Sequence, residues 1–148
     1  MAEGTTRSAV SAGARSARHT LEIETRTRVE FRDITDAIER LVAQTGVSSG
    51  VCYVFTPHTT AAILVNENAD PALHQDFDAF LKKLAPRDSA YHHNDGNCDA
   101  HLKAAIIGPS KSLLIESGSL LLGRWQGVFL CEFDGPRRRD IHVKVVSD

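Results

Sequence analysis

WQGVFLCEFDGPRRRDIHVKVVS, residues 125–147, holds the clearest strand patterns of the chain and the turn between them. Val128, Leu130 and Glu132 alternate with Phe129, Cys131 and Phe133. A period of two places the two sets on opposite faces of a strand. RDIHVKVVS repeats the alternation with β-branched residues, which suit a pleated surface. Between the two runs, Asp134-Gly135-Pro136 is a turn signal and predicts that the last two strands form a hairpin.

Working outward from this stretch, SKSLLIESG (110–118) reads as one more strand. HTLEIETRTRVEF (19–31) is a Thr-rich alternating strand, and GVCYVFTP (50–57) is a short apolar strand halted by Pro57. Ala61–Val65 forms the buried centre of another, with polar shoulders at His58, Thr59, Asn66, Glu67, Asn68 and Asp70. Three helices intervene. Thr35 is positioned to cap the first, which turns Ile34, Ile38, Leu41 and Val42 inward and stops at Gly46. Asp70-Pro71 opens the second over residues 71–84, with Leu73, Phe77, Phe80, Leu81 and Leu84 at helical spacing. Asn97 is positioned to cap the third, with Leu102, Ala105 and Ile106 on its inner side and Gly108-Pro109 ending it. The element order implies a single α+β domain, a mixed or largely antiparallel sheet with packed helices.

Length and composition set the outer bounds. With 148 residues the chain is long enough for one domain with a sizeable core. That domain is expected over residues 18–148. Residues 1–17, rich in Ala, Ser and Arg, suit a disordered tail, with an organellar transit peptide as the other reading. A net charge of -2 offers no general basic face, so nucleic-acid binding is not expected. No apolar run reaches the ~20 residues of a membrane span, and the cytoplasm is the default location. Cys52, Cys98 and Cys131 are an odd number without a CxxC pair, so no disulfide framework is implied.

Chemistry concentrates in YHHNDGNCDAHLKAA, residues 91–105. His93 and His101, with Asp95, are candidate metal ligands, while Asn97 either orients an imidazole or caps the helix. A solvent-facing polar loop is the plainer alternative. His58, fixed by Pro57 at a strand end, either points into a pocket or rests on the surface. Glu67 is a candidate acid, base or magnesium ligand. Arg137, Arg138 and Arg139 are candidates to grip phosphate, with Ser110 and Lys111 a weaker anion candidate. Trp125 lines a pocket, an interface or the core.

Taken together, HTTAAILVNENADP (58–71), HNDGN (93–97) leading to AHL (100–102), IIGPS (106–110), LLGRWQ (121–126) and EFDGPRRR (132–139) resemble the YjbQ-like family, also called the secondary thiamine-phosphate synthase family. The resemblance runs from about residue 20 to the end. It implies a compact α+β fold, a homotrimer and a metal- or anion-binding pocket near a subunit boundary. The family's histidines fall on His58, His93 and His101, its acidic and amide positions on Glu67, Asp70, Asp95 and Asn97, and its terminal arginine on Arg137. The implied reaction joins the pyrimidine diphosphate precursor of thiamine to its thiazole monophosphate precursor and releases pyrophosphate. In that scheme a divalent ion, Mg or Zn, rests on His93, Asp95 and His101, and Arg137 secures a phosphate. His58, Glu67 and Asn97 complete the catalytic set. Two other readings stand beside it. One is a metal-dependent hydrolase of a small phosphorylated or amide substrate; the other is a non-catalytic trimer that binds a metal or anion.

Overall fold

The computed structural model describes residues 4–10 and 16–148. The two terminal strands do not pair with each other. β8 (Gln126–Glu132) is the middle strand of a three-stranded sheet, between β3 (Glu30–Asp33) and β5 (Ala61–Glu67). β9 (Arg138–Ser147) belongs to a second sheet of six strands. Its order is β1 (Thr5–Val10), β2 (Ser16–Glu24), β9, β4 (Gly50–Phe55), β6 (Ser110–Glu116) and β7 (Ser119–Leu120). The expected hairpin is thus replaced by a corner. A strand has only two hydrogen-bonding edges, and β3 and β5 occupy both edges of β8 as β2 and β4 do for β9. Asp134–Arg137 carries the chain between the sheets, through a cis Gly135-Pro136 bond. Gly135 is required there, because a Cβ would collide with the carbonyl of Thr27.

All strand pairings are antiparallel, and the fold is a single α+β domain, as the alternation implied. Part of the stretch whose composition suited a disordered tail is paired here: β1 runs beside β2, Thr5 opposite Glu22 through Val10 opposite Ala17. Residues 1–3 and 11–15 of that stretch lie outside the described residues.

The three-stranded sheet is covered on both faces. Ile63, Val128 and Leu130 pack with Leu21, Cys52, Val54, Ile141, Val143 and the helix α1 (Thr35–Thr45) into the larger core. Ala62, Cys131 and Phe133 face a second core made with Leu81 of α2 (Ala72–Leu84) and Ala100 and Ala104 of α3 (Cys98–Ile107). Full burial of each large apolar side chain is worth roughly 1.5–3 kcal/mol. The alternation read in β8 is correct, and both of its faces are interior.

Helix ends differ in detail from expectation. Ile34, Ile38, Leu41 and Val42 are buried as expected, and Gly46 ends α1 in the left-handed region at φ 71°. Thr35, however, does not cap. Asp33 Oδ1 accepts from the Thr35 N–H at 2.9 Å and from its hydroxyl at 2.5 Å. The Thr35 hydroxyl in turn accepts the Val128 N–H at 2.9 Å, tying α1 to β8. Asp70 does serve α2, accepting the Ala72 N–H at 3.0 Å.

The inner face of α3 is the reverse of that expected. Asp99, Ala100, Lys103 and Ala104 are buried, while Leu102 and Ile106 are 42% and 56% exposed. The alanines let α3 lie close against Ala62, and Asp99 with Lys103 forms an internal ion pair that offsets the cost of their burial. Of the apolar positions of α2, only Leu81 is fully buried; Phe80 is 61% and Leu84 56% exposed. No helix is long and apolar enough to cross a membrane, among the described residues.

Candidate active site

His58 lies just before the turn that leads into β5, and His101 in the first turns of α3, which packs across β5. The two imidazoles line one cavity of ≈ 330 Å³, where Ala61, Ala104 and Ala105 leave the space and Pro109 closes one side. The volume suits a small-molecule group. His58 Nε2 accepts the backbone N–H of Asp140 at 2.9 Å, which requires a lone pair there and places the ring's proton on Nδ1. Burial lowers the pKa of His58, and the Arg139 guanidinium lowers it further. Asp140 and Glu132 pull the other way, and Arg137 adds a smaller downward push. The ring is therefore held neutral.

A polar chain runs from the second imidazole. The rings of His101 and His93 meet edge to face at 5.0 Å. His93 Nε2 lies 3.2 Å from Asn97 Oδ1 and 3.6 Å from Asp95 Oδ2. Asn97 Nδ2 donates to Asp134 Oδ2 at 2.8 Å, and Arg137 Nη2 donates to the same oxygen at 3.0 Å. Asn97 thus bridges His93 to Asp134 and makes no side-chain cap on α3. Arg137 Nε donates to the Asp134 carbonyl at 2.8 Å, which leaves Nη1 without a protein partner among the described residues.

Beneath this chain is a buried network in which Arg139, expected as a candidate to grip phosphate, is 2% exposed and committed to Glu132 instead. Arg139 Nε donates to Glu132 Oε2 at 2.7 Å, and its Nη2 pairs with Glu132 Oε1. Nη2 also donates to the Thr60 hydroxyl at 2.7 Å. Glu132 further accepts from the Thr25 hydroxyl and from the Asp134 N–H, each at 2.9 Å. This network pins the corner between β8 and β9 and carries the charge that depresses His58. Its signal was present: a glutamate on an inward-facing strand position, seven residues before an arginine.

Other candidates sit elsewhere. Glu67 ends the strand that Ala61 begins, about 20 Å along β5 at ~3.3 Å per residue, and pairs with Gln126. Trp125 stands near that same end, 55% exposed, with the Arg124 guanidinium 5.0 Å from its ring. Lys111 donates to the Ile107 carbonyl at 2.9 Å, so it closes the end of α3 rather than an anion site. Arg138 pairs with Glu22 at 2.6 Å. Cys52 and Cys131 are buried, and burial pushes the Cys52 thiol up to about 12, which makes it a poor nucleophile.

His93, Asp95 and His101 supply two imidazoles in contact and one carboxylate beside the first. Among the described residues no group of three or more His, Cys, Asp or Glu side chains is arranged to hold a metal ion.

Residues 19–148 match the family described as UPF0047 protein YjbQ-like. A UPF0047 protein of Methanocaldococcus jannaschii is 44% identical over 127 residues, covering 86% of this chain and 92% of that one. The UPF0047 protein YugU of Bacillus subtilis is 41% identical, covering 86% and 98%. Among solved structures, a YbjQ-like protein from Sulfolobus solfataricus superposes with a TM-score of 0.87 at 34% identity, covering 90% of this chain and 98% of that one. A protein of the same family from Clostridium acetobutylicum gives 0.84 at 44% identity, covering 86% and 98%. With its sequence motifs, its two antiparallel sheets and these likenesses in agreement, the chain belongs to the YjbQ-like UPF0047 family.

Proposed function

We propose that the His58–His101 cavity binds a small phosphorylated substrate and that the protein is a transferase with thiamine-phosphate synthase activity. The observation that carries this reading is the joining of the two histidines in one cavity, with the His93–Asn97–Asp134–Arg137 chain beginning at its rim. In the proposed reaction the thiazole ring nitrogen attacks the methylene of the pyrimidine diphosphate. A C–N bond forms as the C–O bond to diphosphate breaks, and pyrophosphate leaves with the electron pair. The nucleophile needs no base, so the task is to align two anions and steady the departing charge. The free Nη1 edge of Arg137 suits a phosphate oxygen, and neutral His58 suits alignment of the reactants.

A homotrimer is part of the proposal. Leu102 and Ile106 form an uncovered apolar face on α3, and Ala105 on the same side lines the cavity. A subunit seated on that face would close the site at its border. Replacing Ile106→Glu should convert a trimer to monomers in sedimentation equilibrium.

The deciding assay supplies both thiamine precursors to protein stripped of metal, then restored with magnesium, manganese or zinc, and follows pyrophosphate. His101→Ala should lower kcat/KM by about a hundredfold. Arg137→Ala should lower it about tenfold or more, the worth of a charge-assisted hydrogen bond. Undiminished turnover in both His58→Ala and His101→Ala would remove the cavity from the mechanism.

A further inference from the structure

The opposite flank of α3 carries a second concavity, in which charged side chains meet an apolar wall. Lys103 and Asp99 lie two positions from His101, about 200° around the helix. They line a cavity of ≈ 450 Å³ together with Arg28, Lys82, Arg87 and Asp88, while Val29 and Pro86 give it an apolar wall. Four cationic side chains there face two carboxylates. One carboxylate is already spent. Asp99, 1% exposed, receives Arg28 through both Nη atoms at 3.0 and 3.2 Å and Lys103 Nζ at 3.0 Å.

Lys103 is the informative group. It is 2% exposed, yet among the described residues its ammonium donates to Asp99 Oδ2 and to nothing else. An ammonium has three donors, and a buried one left with two of them unused is costly. The triad of Arg28, Asp99 and Lys103 also carries one uncompensated positive charge. Both deficits have the same remedy, an anion with several acceptor oxygens. At the rim, Lys82 is paired with Asp78 at 2.7 Å and is 61% exposed, while Arg87 is exposed.

We propose that this cavity is a second anion site, separate from the histidine cavity, that binds the phosphate group of a small organic phosphate. The phosphate oxygens take the two unused Lys103 donors and the Arg87 guanidinium, and Val29 and Pro86 contact the organic part. Because α3 lies between the two cavities, an occupant here rests on the helix that holds His101.

Inorganic phosphate is the probe, titrated calorimetrically at fixed ionic strength with chloride as the reference. The background is the His101→Ala/Arg137→Ala protein, in which the first cavity is disabled. Phosphate binding should persist in that background, weaken about tenfold or more on adding Arg87→Ala, and vanish on adding Lys103→Met. Arg87 is exposed, so its variant reports even if the Lys103 variant does not fold. Loss of phosphate binding in the starting background would place the anion in the histidine cavity alone and overturn the proposal. Binding unaltered by Arg87→Ala combined with Lys82→Ala would overturn it equally. Neither result bears on turnover at His58 and His101, which the pyrophosphate assay measures separately.

Discussion

Two buried ion networks lie on either side of the molecule's smaller core, and they are balanced differently. Around Glu132, one carboxylate meets one guanidinium, and Thr25, Thr60 and the Asp134 N–H satisfy further lone pairs and donors. Around Asp99, one carboxylate serves two cations and little else. A closed network holds backbone in place, and here it fixes the corner where the chain passes from one sheet to the other. An open one keeps donors in reserve, which is what a binding site needs and a purely structural pair does not.

The sharpest way to break this contrast is Arg139→Met. Glu132 would remain buried and unpaired, and stability should fall by about 3–5 kcal/mol in urea denaturation. A small loss would mean that the corner does not depend on the pair. Asp99→Asn comes next, at roughly 2–3 kcal/mol, because Arg28 is partly solvated and can turn towards water.

The same variant carries a pH signature. Burial alone would raise the Asp99 pKa, but hydrogen bonds from Arg28 and Lys103 outweigh it and hold the carboxyl below its ordinary 3.8. A depressed carboxyl contributes stability that is full above the ordinary value and lost as pH falls through the folded one. The stability gap between wild type and Asp99→Asn should therefore be flat from about pH 5 to 8 and close only below about pH 4. A gap that closes near neutrality would point to another group.

The smallest expected effect concerns His58. Its pKa lies below 6.5, so the native protein binds fewer protons than the unfolded chain as pH drops through that value. Stability should decline gently on the acid side of 6.5, and the acid limb of the kcat/KM profile should fall below 6.5 as well. An acid limb above 6.5 would show that a different group controls the reaction.

Much of this architecture was readable from residue order. The strand alternation in 125–147, the apolar face of α1 and the glycine stop at Gly46 all came through. Each is a local property, governed by backbone geometry and by side chains a few positions apart. The errors share one cause. Period two identifies which residues of β8 share a face, but not that both of its edges are taken before β9 could pair with it. Helical spacing groups Leu102, Ala105 and Ile106, but not that the opposite side of α3, with its small alanines and buried ion pair, is the one that fits against β5.

The site divides along the same line. The sequence by itself determined the chemical inventory: which histidines, amides and arginines are present, and at what strand or helix end each sits. Tertiary structure alone decided that His58 and His101 share a cavity, that Asn97 bridges instead of capping, that Glu67 stands at the far end of its strand, and that Lys103 is buried with donors to spare. Those outcomes depend on which surfaces meet, and contact between residues dozens of positions apart is set by packing and desolvation over the whole chain rather than by any local pattern.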